Sequence, residues 1–337
     1  MAYWAIIGIP IIAAALCAGA LVLLLPWLKS YALAQPIDRS LHREPTPQGG
    51  GLGVILSTLI AAWLAVAVSG TLPQGTLAQL STLTAATALL TLVGLLDDMH
   101  GLSPAPRLLV QCLAAGLIVL MLPTDARLVA ALPLWVERLC ILVVGIWFVN
   151  LVNFMDGIDW MTVAEAVPIT AAIVAFGFAG VVPPLAMLVA LALLGAILGF
   201  APFNRPVARL FLGDVGSLPI GLVLGWLLLL LATSGQLAAA LLLPLYYLAD
   251  TTITLALRIG RREVLWNAHR SHFYQRAIAG GMTVPGVVAR VFGTNVALAA
   301  LAMVSVGAGS TMVSLLCLIG GAAIVGFLLA HLAKGRP

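Results

Sequence analysis

Residues 82–98 read TLTAATALLTLVGLLDD, an apolar run that ends in two adjacent aspartates. The run closes a longer stretch, 45–96, that contains no Asp, Glu, Lys or Arg. A membrane-spanning helix needs about 20 mainly apolar residues, and the turn-forming residues 71–75 (TLPQG) divide the stretch into two such helices. The whole chain is 62% hydrophobic and only 8% charged, whereas a soluble domain is about 25% charged. The sequence therefore predicts an all-α integral membrane protein.

The other uncharged runs divide at turn-forming residues in the same way. Breaks near 183–184, 234–235 and 307–310 split the runs 166–204, 215–249 and 291–333, and single spans are expected near 4–26, 108–122 and 138–152. The total is about eleven transmembrane helices in one polytopic membrane domain, residues 1–337. Met1–Leu25 has no basic start and no cleavage site of small residues, so we expect it to remain as a membrane anchor.

The basic residues predict the orientation, because Lys and Arg of short loops stay on the cytoplasmic side. When the predicted spans alternate from a periplasmic N-terminus, only Arg127 and Arg138 fall outside, and the other fourteen of the sixteen basic residues fall inside. We therefore expect a cytoplasmic C-terminus and a multi-pass protein of the bacterial inner membrane. The net charge of +4 comes from these loops, so it does not indicate a nucleic-acid partner.

Five aspartates lie at the ends of apolar runs on the predicted cytoplasmic face, where carboxylates near a bilayer are costly and usually functional. They are Asp97, Asp98, Asp156, Asp159 and Asp214. The adjacent carboxylates of Asp97 and Asp98 repel each other unless a cation lies beside them, which suits a base or a Mg²⁺ partner. An acidic helix end in water is the alternative for this pair. Asp214, between two glycines, suits either a metal site or a helix N-cap.

A polar series continues from the end of the fifth predicted span. Asn150, Asn153, Asp156 and Asp159 recur every three residues, so on a helix or its frayed end they form one stripe. Carboxylate and amide oxygens are ligands of the kind that Mg²⁺ accepts. An amide contact between helices is the alternative for Asn150.

Basic side chains of two inner loops are expected to meet phosphates. Arg43 precedes a loop rich in proline and glycine, and Arg270 and His272 lie in the last large loop. For each loop the alternative is a basic anchor on the cytoplasmic side. Asp250, near the end of the ninth predicted span, is expected to pair with Arg258 or to serve helix packing.

Five segments in this order resemble the polyprenyl-phosphate N-acetylhexosamine-1-phosphate transferases. They are PTP (45–47) with the glycines that follow, LDD (96–98), NFMDGID (153–159), FLGDVGS (211–217) and the loop His269–His272. The resemblance implies transfer of a sugar 1-phosphate from a UDP-N-acetylated sugar to undecaprenyl phosphate, with UMP released, in an active site at the cytoplasmic face. It also implies Mg²⁺ as cofactor, for which Mn²⁺ could substitute. We expect membrane lipid and a second copy of the chain as further partners.

The resemblance also implies roles for individual residues. The residues expected to be catalytic are Asp97, Asp98 and Asp156, the first two at the acceptor phosphate, and the residues expected to bind metal are Asp214 and Asp98. The residues expected to bind substrate are Arg43, Asn153, Asp159, Asn204, Phe211, Arg270 and His272. Among these, Asn204, Phe211 and Asp159 match positions near the uracil, and Arg270 matches one near the diphosphate.

Two departures from the family pattern bear on the branch of the family. Trp160 stands where many members have glycine, and the basic loop His269–Tyr274 has fewer histidines than usual. The second departure argues against the peptidoglycan pentapeptide branch and favours the first membrane step of O-antigen or related surface polysaccharide synthesis. The alternative function is a transporter or lipid flippase that couples through acidic residues; it would place its charges at mid-membrane on discontinuous helices.

Overall fold

The computed structural model describes residues 3–31, 33–34, 45–70, 73–263 and 270–335. These residues are almost entirely helical. The helices are α1 (Tyr3–Tyr31), α2 (Gly50–Val68), α3 (Thr76–His100), α4 (Pro104–Leu120), α5 (Leu134–Met155), α6 (Met161–Phe178), α7 (Pro184–Phe200), α8 (Asp214–Thr233), α9 (Leu237–Leu242), α10 (Leu245–Gly260), α11 (Phe273–Ala279), α12 (Val284–Ala308) and α13 (Thr311–Lys334). Two strands of two residues, β1 (Leu33–Ala34) and β2 (Thr46–Pro47), pair antiparallel.

Eight of the described helices are long and apolar enough to cross a membrane: α1, α2, α3, α5, α6, α8, α12 and α13. The helices α4 and α7 are apolar but shorter. The all-helical membrane class predicted from composition is therefore confirmed, while the number of about eleven spans stays a prediction. The predicted breaks at 183–184, 234–235 and 307–310 coincide with helix ends, because proline and glycine act on the local backbone.

The ninth predicted span is divided in the structure. The short helix α9 ends at Leu242, Pro244 precedes α10, and α10 continues to Gly260. Helix α10 differs from its neighbours because it buries polar side chains on one face, among them Tyr246, Tyr247 and Asp250. A hydropathy window merges the apolar start of α10 with α9, which is why the sequence predicted one span where the structure has two helices.

Helices α7 and α8 form the interior of the bundle. Helix α7 packs against α1, α2 and α6, and α8 packs against α3, α5 and α2. Both sequences are apolar on every side, as expected for a helix that other helices surround. The N-terminus of α8 lies at the end of the bundle where α3 and α5 finish, and this arrangement gathers the predicted site residues.

Glycines allow this close packing at the start of α8. A Cβ atom on Gly94 of α3 would overlap the backbone carbonyl of Asp214, and one on Gly51 of α2 would overlap the backbone of Gly216. Neither helix could approach α8 so closely with a larger side chain at these positions. The close approach of α3 brings Asp98, one turn after Gly94, beside the first residues of α8.

We predict that Gly94→Ala separates α3 from α8 and lowers the thermal unfolding temperature of the purified protein in detergent. Overpacking of this kind costs about 1–3 kcal/mol. The matched control is Gly116→Ala in α4, where an added Cβ meets no atom within 4 Å and higher helix propensity should leave stability equal or slightly increased. Equal stability of the two variants would show that the α3–α8 contact tolerates separation.

We predict that cysteines at Gln74 and Ala308 are labelled from outside the cell and that a cysteine at Glu263 is not. All three residues are exposed, and the excess of basic residues predicts that Glu263 lies on the cytoplasmic side. The measurement uses an impermeant maleimide in a background whose four native cysteines are replaced by alanine. Labelling of Glu263→Cys from outside would reverse the predicted orientation.

Candidate active site

A cavity of about 360 Å³ opens at the end of the bundle where α3 and α5 finish and α8 begins. The segment 201–213 and helix α11 complete its wall. Eight of the eleven residues that the sequence predicted for the site line this cavity: Asp98, Asn153, Asp156, Asp159, Asn204, Phe211, Asp214 and Arg270. Of the other three, Asp97 and His272 lie behind the lining, and Arg43 lies outside the described residues.

The Asp98 side chain caps the first turn of α8. Its Oδ1 accepts a hydrogen bond from the backbone N–H of Asp214 (2.9 Å), and its Oδ2 accepts one from the N–H of Val215 (3.0 Å). The first N–H groups of a helix have no partner within the helix, and the helix dipole favours a negative charge there. Asp98 therefore fixes the start of α8, although it belongs to a different helix.

Arg107 of α4 joins two of the acidic segments. Its Nη1 lies 2.7 Å from Asp97 Oδ2, and its Nη2 lies 3.0 Å from Asp214 Oδ2. Asp97 also accepts a hydrogen bond from the backbone N–H of Leu102, so it supports Arg107 from behind the cavity. Arg107 was not among the residues predicted for the site. Its position in the first turn of a helix that follows the two aspartates was the available signal.

Asn153, near the end of α5, holds Asp214 from the other side. Its Nδ2 donates to Asp214 Oδ1 (2.7 Å) and to Ser217 Oγ (2.8 Å). The amide that was predicted to bind substrate thus orients the carboxylate predicted to bind metal. Asn150 on the same face exchanges hydrogen bonds with Gln111 of α4, which is the amide contact between helices weighed as an alternative for that residue.

Asp156 lies in the turn after α5, where one carboxylate oxygen accepts a hydrogen bond from the Thr162 hydroxyl. The structure shows no partner among the described residues for its other oxygen. Burial raises the pKa of this carboxyl from 3.8 to about 8, and the charges of Asp214, Asp98 and Asp159 act in the same direction. A cation bound in the cavity would favour the ionised form of this carboxyl.

A further part of the wall is built from the segment 201–211. Asp159 Oδ2 accepts from the backbone N–H of Ala208 (3.0 Å), and Asn204 Nδ2 donates to the carbonyl oxygen of Leu210 (3.0 Å). Phe211 pairs with β2, since its N–H donates to the carbonyl oxygen of Pro47 (2.8 Å). The three residues that match positions near the uracil therefore lie along one wall, and Asp159 and Asn204 use side-chain atoms to hold the backbone.

Gln48, which follows β2, also reaches the cavity. Its Nε2 donates to the backbone carbonyl oxygen of Asp98 (2.9 Å), and its side chain is part of the lining. Sequence reasoning missed this residue as well as Thr162. Gln48 belongs to the loop of prolines and glycines that follows Arg43, and for this region only the basic side chain was predicted to be functional.

Arg270 and His272, which precede α11, differ in their position relative to the cavity. The exposed Arg270 reaches the cavity and has no ion-pair partner among the described residues. His272 is only 3% exposed, and its Nδ1 lies 3.0 Å from Oδ1 of the buried Asp250. The structure therefore places His272 beneath the cavity wall as a support for α11, in place of the phosphate contact predicted from the sequence.

The same contact settles the partner of Asp250. Its carboxylate is fully buried and is bonded by His272, by the N–H of Phe273 (3.2 Å) and by the Tyr246 hydroxyl (3.2 Å). Of the two alternatives predicted for Asp250, the pair with Arg258 is not formed, because Arg258 Nε lies 2.9 Å from Glu263 Oε2. The contacts support the other alternative, helix packing, here of α10 against the start of α11. An imidazole and a helix N-terminus satisfy the buried carboxylate without exposing it to the membrane interface.

The oxygen atoms around the cavity suit a hard cation such as Mg²⁺. Carboxylate and amide oxygens are the ligands that Mg²⁺ prefers, and Mg²⁺ commonly takes one or two carboxylates beside phosphates and water. Within the described ranges no three His, Cys, Asp or Glu side chains converge to form a metal-binding group. The residues therefore fit a Mg²⁺ ion that is coordinated partly by the protein and partly by the oxygens of a bound phosphate compound. They do not form a site in which every ligand comes from the protein.

The sequence of the chain is similar to a known family and to several known enzymes. The family model for glycosyl transferase family 4 matches residues 80–232. The chain is 32% identical over 213 residues to a decaprenyl-phosphate N-acetylglucosaminephosphotransferase of Mycobacterium leprae, covering 57% of this chain and 52% of the relative. It is 25% identical over 271 residues, with 76% and 72% covered, to a probable undecaprenyl-phosphate N-acetylglucosaminyl 1-phosphate transferase of Bacillus subtilis.

A third relative comes from the other branch. A phospho-N-acetylmuramoyl-pentapeptide-transferase of Streptococcus pneumoniae is 28% identical over 249 residues, covering 67% of this chain and 73% of the relative. Identities of this size are similar for the two branches, so they do not separate them. The chain spans about half the length of the mycobacterial relatives that it matches.

We predict that Asp98→Ala lowers the thermal unfolding temperature even when no substrate is present. The change leaves the N–H groups of Asp214 and Val215 without their acceptors, and each buried donor left unpaired costs about 1–3 kcal/mol. Asp125→Ala is the matched control, because Asp125 is an exposed acid in the loop between α4 and α5. If both variants unfold at the wild-type temperature, Asp98 does not hold the start of α8.

Proposed function

We propose the function of the chain from its membership of glycosyl transferase family 4, the family of polyprenyl-phosphate hexosamine-1-phosphate transferases. The proposed reaction is the transfer of an N-acetylated sugar 1-phosphate from a UDP-sugar to undecaprenyl phosphate. The products would be an undecaprenyl-diphospho-sugar and UMP. The names of the mycobacterial and Bacillus relatives support a polyprenyl phosphate acceptor and an aminosugar phosphate. The uridine nucleotide of the donor and the undecaprenyl chain of the acceptor are proposed in addition.

The observation that carries the proposal is the convergence of acids and arginines at the N-terminus of α8. Asp98, Asp156 and Asp214 line one side of the cavity, and Arg270 lines its edge. Asp98 already accepts the first two N–H groups of α8, so Arg270 is the group of the cavity lining that would contact a phosphate directly. The carboxylates alone would repel phosphate groups, so the site requires a cation to accept a diphosphate.

Mg²⁺ is the proposed cation, and Asp214 and Asp98 are the residues that would hold it. When bound, it would neutralise the diphosphate oxygens and stabilise the departing UMP. Each carboxylate oxygen of Asp98 keeps a second lone pair after it has accepted a backbone N–H. Asp156 also lines the cavity and would be available as a further ligand or as a proton acceptor.

The reaction itself needs alignment more than covalent help from the protein. An oxygen of the acceptor phosphate would attack the phosphorus atom that carries the sugar, and the bond from that atom to the bridging oxygen of UMP would break. Asp97 and Arg107 would position the acceptor end. Phe211 would support the uracil by stacking, and Arg270 would contact the diphosphate.

We further propose that the protein works in the bacterial inner membrane, at the first membrane step of O-antigen or related surface polysaccharide synthesis. The support is the sparse histidine content of the basic loop, where Arg270 lines the cavity and His272 is buried. The transporter or flippase alternative is not favoured. The acids of the cavity lie at helix ends beside arginines, and the three relatives described above are named as transferases.

The test is UMP release by the purified protein from a panel of UDP-sugars with undecaprenyl phosphate, with Mg²⁺ and with chelator. We predict that Asp214→Asn lowers the rate about 100-fold or more, the order of loss seen when a group that stabilises transition-state charge is removed. The thermal unfolding temperature should change little, since asparagine keeps an acceptor for Asn153. Asp125→Asn is the control and should keep wild-type activity.

Two results would count against the proposal. Absence of UMP with every UDP-sugar would reject the donor class. Retention of half the activity by Asp214→Asn would reject Asp214 as a metal ligand and leave it as a helix-start residue. Formation of the lipid product from UDP-N-acetylglucosamine or from a UDP-linked deoxyhexose would identify the sugar.

A further inference from the structure

Trp160 adopts a backbone conformation that suits glycine. Its φ is 63° and its ψ is 3°, in the left-handed region that bulky residues avoid for steric reasons. Among the described residues, only Trp160 and Arg262 combine a positive φ with a side chain. Such an outlier persists where the surrounding contacts enforce it, and these outliers cluster at functional sites.

The two N–H groups of Trp160 both donate to one segment of the chain. Its indole Nε1 donates to the carbonyl oxygen of Ala201 (2.7 Å), at the end of α7, and its backbone N–H donates to Asn204 Oδ1 (2.7 Å). Asp159, the preceding residue, accepts from the N–H of Ala208 (3.0 Å). Two consecutive residues thus fasten the segment 201–210 at three points, an arrangement that we call the 159–160 clamp.

The clamped segment forms the wall that the proposed donor nucleotide would contact. Asp159, Asn204 and Phe211 all line the cavity, and the clamp sets the separation between the first of them and the other two. The Trp160 ring itself does not line the cavity. Its side chain therefore acts through the segment that it holds, and it replaces the glycine that the backbone alone would favour.

We propose that Trp160 is a positioning residue that holds the 201–211 wall at the spacing required by the base and ribose of the nucleotide. The inference rests on the proposed function, because it concerns the donor end of the same cavity. The indole N–H supplies the partner for a carbonyl that the end of α7 leaves free. A phenylalanine would fill the same space without that bond, and a glycine would relieve the backbone but remove both the ring and one of the three bonds that hold the wall.

The test compares Trp160→Gly, Trp160→Phe and Arg262→Gly in the full-length protein. Arg262→Gly is the matched control, because it relieves a similar backbone conformation (φ 57°) at an exposed residue that does not line the cavity. Three readouts are used: amide hydrogen exchange of residues 201–211 without ligand, calorimetric affinity for UDP, and the separate kcat and KM for the UDP-sugar.

We expect Trp160→Gly to speed the exchange of residues 201–211 and to weaken UDP affinity by about tenfold, the factor that corresponds to about 1.4 kcal/mol. The donor KM should rise in parallel while kcat at saturation stays close to wild type. Trp160→Phe should show the same direction with a smaller loss, and Arg262→Gly should match wild type. If Trp160→Gly does not fold, Trp160→Phe carries the test.

Failure of this inference can be distinguished from failure of the proposed function. A wild-type protein that neither binds UDP nor releases UMP would reject the proposed function and the nucleotide assignment with it. A wild-type protein that does both, with unchanged exchange and affinity in the Trp160 variants, would reject the role of Trp160 alone. A fall in kcat with unchanged KM would also overturn the role, because it would place Trp160 in the chemical step.

Discussion

The structure of the site depends on one contact, the bond of the Asp98 carboxylate to the first two N–H groups of α8. Residues 98 and 214 are 116 positions apart, and only the close approach of α3 to α8 at Gly94 lets them meet. Once α8 begins at this point, Asp214 faces the cavity between Asn153 and Arg107. A carboxylate that caps another helix therefore sets the position of the carboxylate proposed to bind the metal.

The concentration of negative charge explains why the site lies at a helix N-terminus. Carboxylates at the edge of a membrane bundle are stable only when dipoles, cations or protons offset their charge. Here the N–H groups of α8 serve Asp98, and Arg107 serves both Asp97 and Asp214. Within the described part of the chain, Asp156 has a single hydroxyl partner, and burial together with the neighbouring carboxylates raises its pKa. This imbalance favours a bound cation, in agreement with the proposed transfer of a phosphate group.

A second set of contacts stabilises the cavity wall from behind. Helix α11 has only seven residues, too few to be stable by itself in water. Its start is fixed by the buried Asp250 through His272 and the N–H of Phe273, and Tyr274 packs so closely on Gly157 that a Cβ there would overlap its hydroxyl. The turn that contains Asp156 therefore rests on α11, just as the 201–211 wall rests on the 159–160 clamp.

The sequence by itself determined the helical membrane class and the helix ends at proline and glycine, and it predicted eleven site residues, of which eight line the cavity. Hydropathy and turn preference are local properties, and short motifs keep their residues together. Only the tertiary structure decided which partners these residues have: Asp98 with the start of α8, Arg107 between Asp97 and Asp214, and His272 with Asp250. Those pairings join helices far apart in the chain, and the packing of the helices, which no local pattern encodes, brings them within bonding distance.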